Sequence, residues 1–153
     1  MEKCYFEVYY HAVFAVKNKN ALLEKAIRSR VFEYIAGVLR KHKCTVLAVN
    51  GSDDHVHIFF APTPDILLSK LMQAVKGRSS SWINAERICN NHFNWQSGYI
   101  AVTHSKSDID QLVKYLINQE EFHRTTSFCD EFIAMLKENE IEYDERYVFQ
   151  PPS

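Results

Sequence analysis

Thr45-Val46-Leu47-Ala48-Val49-Asn50, then Gly51-Ser52-Asp53-Asp54, then His55-Val56-His57-Ile58-Phe59-Phe60 is the stretch that decides the fold. Two runs of β-branched and aromatic residues flank four residues of turn chemistry, so residues 44–61 read as a β-hairpin. Pro62 and Pro64 close it. Upstream, Tyr5 to Val16 is dominated by aromatic and β-branched residues and reads as a strand, ended by Lys17-Asn18-Lys19-Asn20. Leu23, Ile27, Val31, Ile35 and Leu39 recur at i+4 steps, which predicts an amphipathic helix over about 21–41.

Downstream, Asp65 opens a second helix that carries Ile66, Leu67, Leu68, Leu71, Met72 and Val75 and runs past Gly77 toward Ile88. Phe93–Gln96 and Tyr99–Thr103 read as a fourth strand bent at Gly98. Ser107-Asp108-Ile109-Asp110 has the form of a capping box opening a third helix over about 108–122. A helix near 128–139 and an irregular tail from Tyr143 to Ser153 follow. The order βαββαβ predicts an α+β, ferredoxin-like (RRM-like) fold. It has one four-stranded antiparallel sheet, two helices on one face and the other face open to a ligand or partner. The chain of 153 residues has room for one domain. Residues 1–125 are expected to form the catalytic part, with 126–153 a C-terminal helix and tail packed on it.

Composition is that of a folded chain: 46% hydrophobic, 13% aromatic and 24% charged. No segment reaches the ~20 apolar residues of a membrane span. The start, Met1 to Tyr5, lacks a secretory pattern. Cys4, Cys44, Cys89 and Cys129 are 40 or more residues apart, which excludes a CxxC knuckle and suits reduced thiols in the cytoplasm. The net charge of −1 argues against a nucleic-acid partner only as an average. Residues 1–118 hold 15 Lys and Arg against 10 Asp and Glu, and residues 119–153 hold 3 against 9. The part with the sheet is basic, as a DNA binder should be. The acidic remainder is expected to pack against it or to repel non-specific DNA.

His55 and His57 carry the chemistry. Residues i and i+2 of a strand share a face about 6.5–7 Å apart, so two imidazoles can converge on one metal. Alone, the tripeptide fits two polar strand residues equally well. Tyr115 and Gln119 are i, i+4 neighbours on a helix whose buried stripe is Leu112, Val113, Leu116 and Ile117. Two imidazoles and a carboxamide oxygen make an incomplete shell that suits Mg²⁺ or Mn²⁺ and leaves room for phosphate oxygens. Tyr115 would be the nucleophile on a phosphodiester. Its phenol has an ordinary pKa of about 10, so the phosphate must be polarised.

With those residues in hand, the chain resembles the HUH single-tyrosine transposases of small bacterial insertion sequences, including their REP-associated relatives. The resemblance begins at Tyr10-His11-Ala12-Val13-Phe14 and includes Asp54-His55-Val56-His57-Ile58. It continues through Lys76-Gly77-Arg78-Ser79-Ser80-Ser81-Trp82 and Phe93 to Tyr99, then Tyr115-Leu116-Ile117-Asn118-Gln119-Glu120-Glu121-Phe122-His123. Phe128-Cys129-Asp130-Glu131-Phe132 and Ile141 to Tyr147 complete it. It implies an enzyme that cuts and rejoins single-stranded DNA at hairpin-marked ends through a 5′-phosphotyrosine. His55, His57 and Gln119 match its metal ligands and Tyr115 its nucleophile. It also implies a homodimer with active sites shared between subunits, working in the cytoplasm on the nucleoid.

Arg40, Lys41, Lys43, Lys70, Lys76 and Arg78 are the candidate DNA contacts, since backbone neutralisation dominates affinity. His11 reads as a sheet or supporting residue, and His104 as a surface histidine or an extra polar group near the site. Glu120, Glu121 and His123 read as solvated. Two other readings share the fold: a domesticated nuclease of REP palindromes, and a non-catalytic nucleic-acid binding module.

Overall fold

The hairpin that opens the sequence argument forms the spine of one antiparallel sheet. The structure is a computed structural model and describes residues 4–153; the reading of the extreme N-terminus falls, for residues 1–3, outside the described residues. The strands are β1 (Tyr9–Ala15), β2 (Thr45–Gly51), β3 (His55–Ala61) and β4 (Ile100–His104). Their order across the sheet is β2-β3-β1-β4, with every pair antiparallel. Helices α1 (Lys25–Lys41) and α2 (Leu68–Ala85) make the two crossovers. This is the expected α+β topology.

Alternation along β3 builds both faces. Val56, Ile58 and Phe60 join Val31, Ile35 and Leu39 of α1 and Leu71, Met72 and Val75 of α2 in the main core. His55, His57 and Phe59 alternate with them. Phe59 packs with Tyr9 and Leu116 in a second, smaller cluster. Gly51 fixes the start of β3, because a Cβ there would meet the His55 carbonyl oxygen at 2.2 Å.

The second face is covered over much of its area, contrary to the expectation of an open face. Helices α3 (Ile109–Ile117) and α4 (Gln119–Phe122) lie against β2, and α5 (Phe128–Glu138) brings Glu131 to the buried histidines. The reason is apolar area: α5 adds Phe128, Phe132, Met135 and Leu136 to the main core, and Phe149 of the tail joins them. Ser153 donates its N–H to the Lys17 carbonyl at 3.1 Å and accepts from the Lys19 N–H at 3.0 Å. The acidic segment is therefore part of the packed core rather than a loose appendage.

Three local expectations differ. The third helix breaks at Asn118 (φ −91°, ψ 19°), between Tyr115 and Gln119. The side-chain amide of Asn50 on β2 takes the carbonyls exposed there, donating to Leu116 at 2.7 Å and Ile117 at 3.3 Å. The capping box at Ser107 does not form, and Ser105 Oγ instead donates to Asp108 at 3.0 Å. A comparable cap occurs at α5, where Ser127 Oγ accepts the Asp130 N–H at 3.1 Å. Finally, Phe93–Gln96 stays outside the ladder apart from one Val16–Trp95 bridge, and Gly98 turns the chain into β4 with φ +86°.

Candidate active site and metal centre

β3 places His55 and His57 on the same face, both with no solvent exposure. Each ring is fixed through its outer nitrogen. His55 Nδ1 donates to Asp54 Oδ1 at 2.8 Å. His57 Nδ1 lies 2.8 Å from His11 Nε2, and Thr126 provides a carbonyl 2.7 Å from His123 Nδ1. Hydrogen bonding of one imidazole nitrogen sets the tautomer and aims the other. All three Nε2 atoms thereby point inward.

What they meet are oxygens. His55 Nε2 is 2.9 Å from Gln119 Oε1 and 3.3 Å from Glu131 Oε1. His57 Nε2 is 3.1 Å from Glu131 Oε1. His123 Nε2 is 3.0 Å from Gln119 Oε1 and 3.1 Å from Glu131 Oε1. The other carboxylate oxygen, Oε2, accepts from Gln119 Nε2 at 2.9 Å and from the Tyr115 hydroxyl. Gln119 is fully buried and Glu131 is 3% exposed.

The electrostatics follow from this crowding. Burial alone would raise the Glu131 pKa, but hydrogen bonds from His123, His55 and His57 hold its carboxyl well below the usual range. Burial pulls His55 down, and hydrogen bonds to Asp54 and Glu131 override it, so its imidazole binds a proton more tightly than usual. Burial pushes His57 down to about 4. Burial, then the hydrogen bond to Glu131, lifts the Tyr115 phenol well above its ordinary range.

The donor set fits a cation. With Nδ1 donating outward, a neutral His55 aims a lone pair at two oxygen acceptors, and His123 does the same. Acceptors facing acceptors require protons or a metal between them. His55, His57, His123 and Glu131 offer four ligand atoms within 4.8 Å of one another. Nitrogen and oxygen donors of this kind suit a divalent cation.

Of the residues expected from the sequence, His55, His57, Tyr115 and Gln119 come together within one chain. A cavity of about 550 Å³ opens beside them, lined by His11, His104, Leu112, Tyr115, Glu131 and Glu138 among others. His104 is thus half-buried against His11 and Phe59 rather than on open surface. His11 supports His57. His123, expected in solvent, belongs to the site. Glu131 lay in a quoted motif with no role, and its signal is its position: four residues after the Ser127 cap, on the buried stripe with Phe128 and Phe132.

The basic residues are elsewhere. Exposed Arg40, Lys41 and Lys43 precede Thr45, which pairs with Ala61 at the far end of β3 from His55. Lys70 and Arg78 are exposed on α2, which packs on the opposite face. Lys76 is half-buried, and its ammonium donates to the Gln96 and Gly98 carbonyls at 2.8 and 2.7 Å.

Comparison with known proteins identifies the family and the fold. The family model described as "Transposase IS200 like" matches residues 4–119. The ISDra2 transposase TnpA of Deinococcus radiodurans is 20% identical over 122 residues, which is 76% of this chain and 86% of that protein. A candidate transposase from Deinococcus radiodurans R1 shares the fold with a TM-score of 0.60 at 21% identity, covering 78% of this chain and 98% of its own. A REP-associated tyrosine transposase, solved bound to a REP hairpin, gives 0.58 at 15% identity, covering 80% and 74%. The family match ends at Gln119, so His123 and all of α5 lie beyond it.

Proposed function

Because this chain belongs to the IS200-like transposase family, we propose that it cleaves and rejoins single-stranded DNA at hairpin-marked ends through a covalent bond to Tyr115. One observation carries the reading: Tyr115, from α3, is hydrogen-bonded to a carboxylate that also holds His57. His55, His57 and Gln119 would hold the Mg²⁺ or Mn²⁺ ion, whose chemistry is to polarise the phosphate and stabilise negative charge on its oxygens. Tyr115 Oη forms a bond to phosphorus and the P–O3′ bond breaks. Glu131 orients the phenol through its hydrogen bond, the phenolic proton passes to water, and the 3′ oxygen leaves as a hydroxyl with a proton from water. The phosphotyrosine conserves the bond for rejoining.

The rest of the reading follows the same premise. Arg40, Lys41, Lys43, Lys70 and Arg78 would neutralise DNA phosphates away from the cleavage point, and Lys76 would join them only by leaving the Gln96 and Gly98 carbonyls. Residues 1–125 carry Tyr115 and the expected ligands, with 126–153 packed on them and bringing Glu131 to the site. No helix among the described residues is long and apolar enough to cross a membrane. We place the protein in the cytoplasm, at the nucleoid. A homodimer with shared sites would dock α3 of one copy on Asn50 and Phe59 of the other.

The test is incubation of the full chain with single-stranded DNA from the regions flanking its gene, with Mn²⁺. Wild type should form a denaturation-resistant adduct that Tyr115→Phe lacks; equal products from both would overturn the nucleophile. Mixing Tyr115→Phe with His57→Ala should restore adduct only if sites are shared. A second reading is favoured by the neighbour solved with a REP hairpin. Here the chain would process repeated chromosomal palindromes, and cleavage of those in preference to element ends would select it.

A further inference from the structure

We propose that Glu131 is the anionic ligand of the metal centre, binding the ion through Oε1 while Oε2 keeps Tyr115 and Gln119 in place. The inference rests on the metal-site reading above and adds a ligand from α5, a helix outside the family match.

Three observations carry it. The first is which nitrogens Glu131 faces. A carboxylate that merely supports a metal-bound imidazole binds the ring nitrogen remote from the ion. Asp54 does so, at His55 Nδ1. Glu131 Oε1 instead lies 3.1 Å from His57 Nε2 and 3.3 Å from His55 Nε2, the two nitrogens that must bind the ion. It shares their side of the rings.

The second is spacing. Neighbouring ligands of an octahedral ion with bonds of 2.0–2.1 Å lie about 3.0 Å apart. Three of the six edges among His55, His57, Gln119 and Glu131, namely His55–Gln119, His57–Glu131 and His55–Glu131, measure 2.9, 3.1 and 3.3 Å. Those three edges already have the spacing of neighbouring ligands around one ion.

The third is charge. His55 and His57 as neutral imidazoles, with the Gln119 carboxamide, would leave both positive charges of a buried divalent ion uncompensated. Glu131 is the one acid in the group of potential ligands found among the described residues. A 3%-exposed carboxylate whose ion-pair partners among the described residues are all histidines calls for compensation of its own. The two requirements answer each other.

The split of the carboxylate has a mechanical result. The oxygen that binds the ion and the oxygen that holds the nucleophile belong to one rigid plane, so seating the ion fixes the approach of Tyr115 as well.

The experiment is calorimetric titration of Mn²⁺ into the full chain without DNA, for wild type, Glu131→Gln and His57→Ala. Wild type should bind one ion, and both variants should lose at least about tenfold in affinity. Wild-type affinity in Glu131→Gln, with weakened binding in His57→Ala, overturns the inference and leaves the metal site standing. No binding by wild type, or no loss in His57→Ala, overturns the metal-site reading and this inference with it. A second measurement needs no variant: crystals of wild type soaked in Mn²⁺ should show the anomalous peak within bonding distance of Glu131 Oε1. A peak bonded to His55 and His57 but not to Glu131 overturns the proposal even if Glu131→Gln misfolds.

Discussion

The ring of Phe128 lies flat on the ring of His55, with centroids 4.0 Å apart and planes 13° from parallel. The first residue of α5 thus clamps a candidate metal ligand from the side that Asp54 does not reach. Phe128 is 4% exposed and also packs against Phe132 and Phe149. Phe128→Ala should cost about 3 kcal/mol, by analogy with other buried Phe truncations. It should also free the His55 ring. Differential scanning calorimetry should show a melting temperature lower by roughly 10 °C. Mn²⁺ affinity should fall further than in Phe128→Leu, which keeps most of the volume; equal affinity in both would deny the clamp.

Asn50 ties α3, the helix that carries Tyr115, to the sheet through the Leu116 and Ile117 carbonyls. Asn50→Ala leaves both carbonyls without that donor. The expected cost is about 1 kcal/mol of stability. The rate of adduct formation should fall about tenfold, since small misplacements of a reacting group are expensive. Hairpin binding should be unchanged. An adduct rate equal to wild type would show that α3 is held by its apolar contacts alone.

Protons should compete with the metal at one ring, not two. Burial pulls His55 down, but its bonds to Asp54 and Glu131 leave its pKa above the ordinary 6.5. Burial puts His57 at about 4, so it is already free of a proton near neutrality. A proton on His55 Nε2 occupies the electron pair the ion needs, and a raised pKa makes that competition start at higher pH. Mn²⁺ affinity should therefore drop about tenfold per pH unit as pH falls below the folded His55 pKa, with about one proton released on binding. Calorimetry in buffers of different ionisation enthalpy counts that proton. Asp54→Asn removes a raising partner and should move the fall to lower pH. A count of two protons near neutrality would contradict the His57 assignment.

Lys76 and Arg78, two residues apart, should behave differently. Lys76→Met loses two charge-assisted bonds that hold the Gln96–Gly98 turn, and should lower stability by about 1–2 kcal/mol. Its effect on DNA affinity should be small. Arg78→Ala, at an exposed position, should leave the melting temperature nearly unchanged. It should reduce the slope of log affinity against log salt by about one, if Arg78 neutralises a phosphate. Salt-dependent fluorescence anisotropy with a labelled single strand distinguishes the two; the reverse pattern would exchange their roles.

Periodicity made most of the fold legible, because hydrophobic alternation in His55–Phe60 and the i+4 series in Leu23–Leu39 are local signals. The convergence of His55, His57, Gln119 and Tyr115 was legible from motif and resemblance. Glu131 and His123 were not. Their roles depend on the packing of α5 over the sheet, and Phe128, Phe132 and Phe149 specify that packing only once the chain is folded. The break at Asn118 was hidden for a related reason. Residues 109–122 suit a helix throughout, and the partner that takes the freed carbonyls is Asn50, on the other side of the fold. The covered second face has the same origin: a sheet pattern shows that a face is polar, not which later segment will lie on it.

The alternation of β3 also bears on how this protein can change over generations. Val56 and Ile58 are fully buried between the two histidines and Phe59 in sequence, yet they face the helices. A substitution that adjusts packing on that side displaces the backbone from which His55 and His57 hang. A change in the core on that side is thereby felt by His55 and His57 on the reverse of the strand.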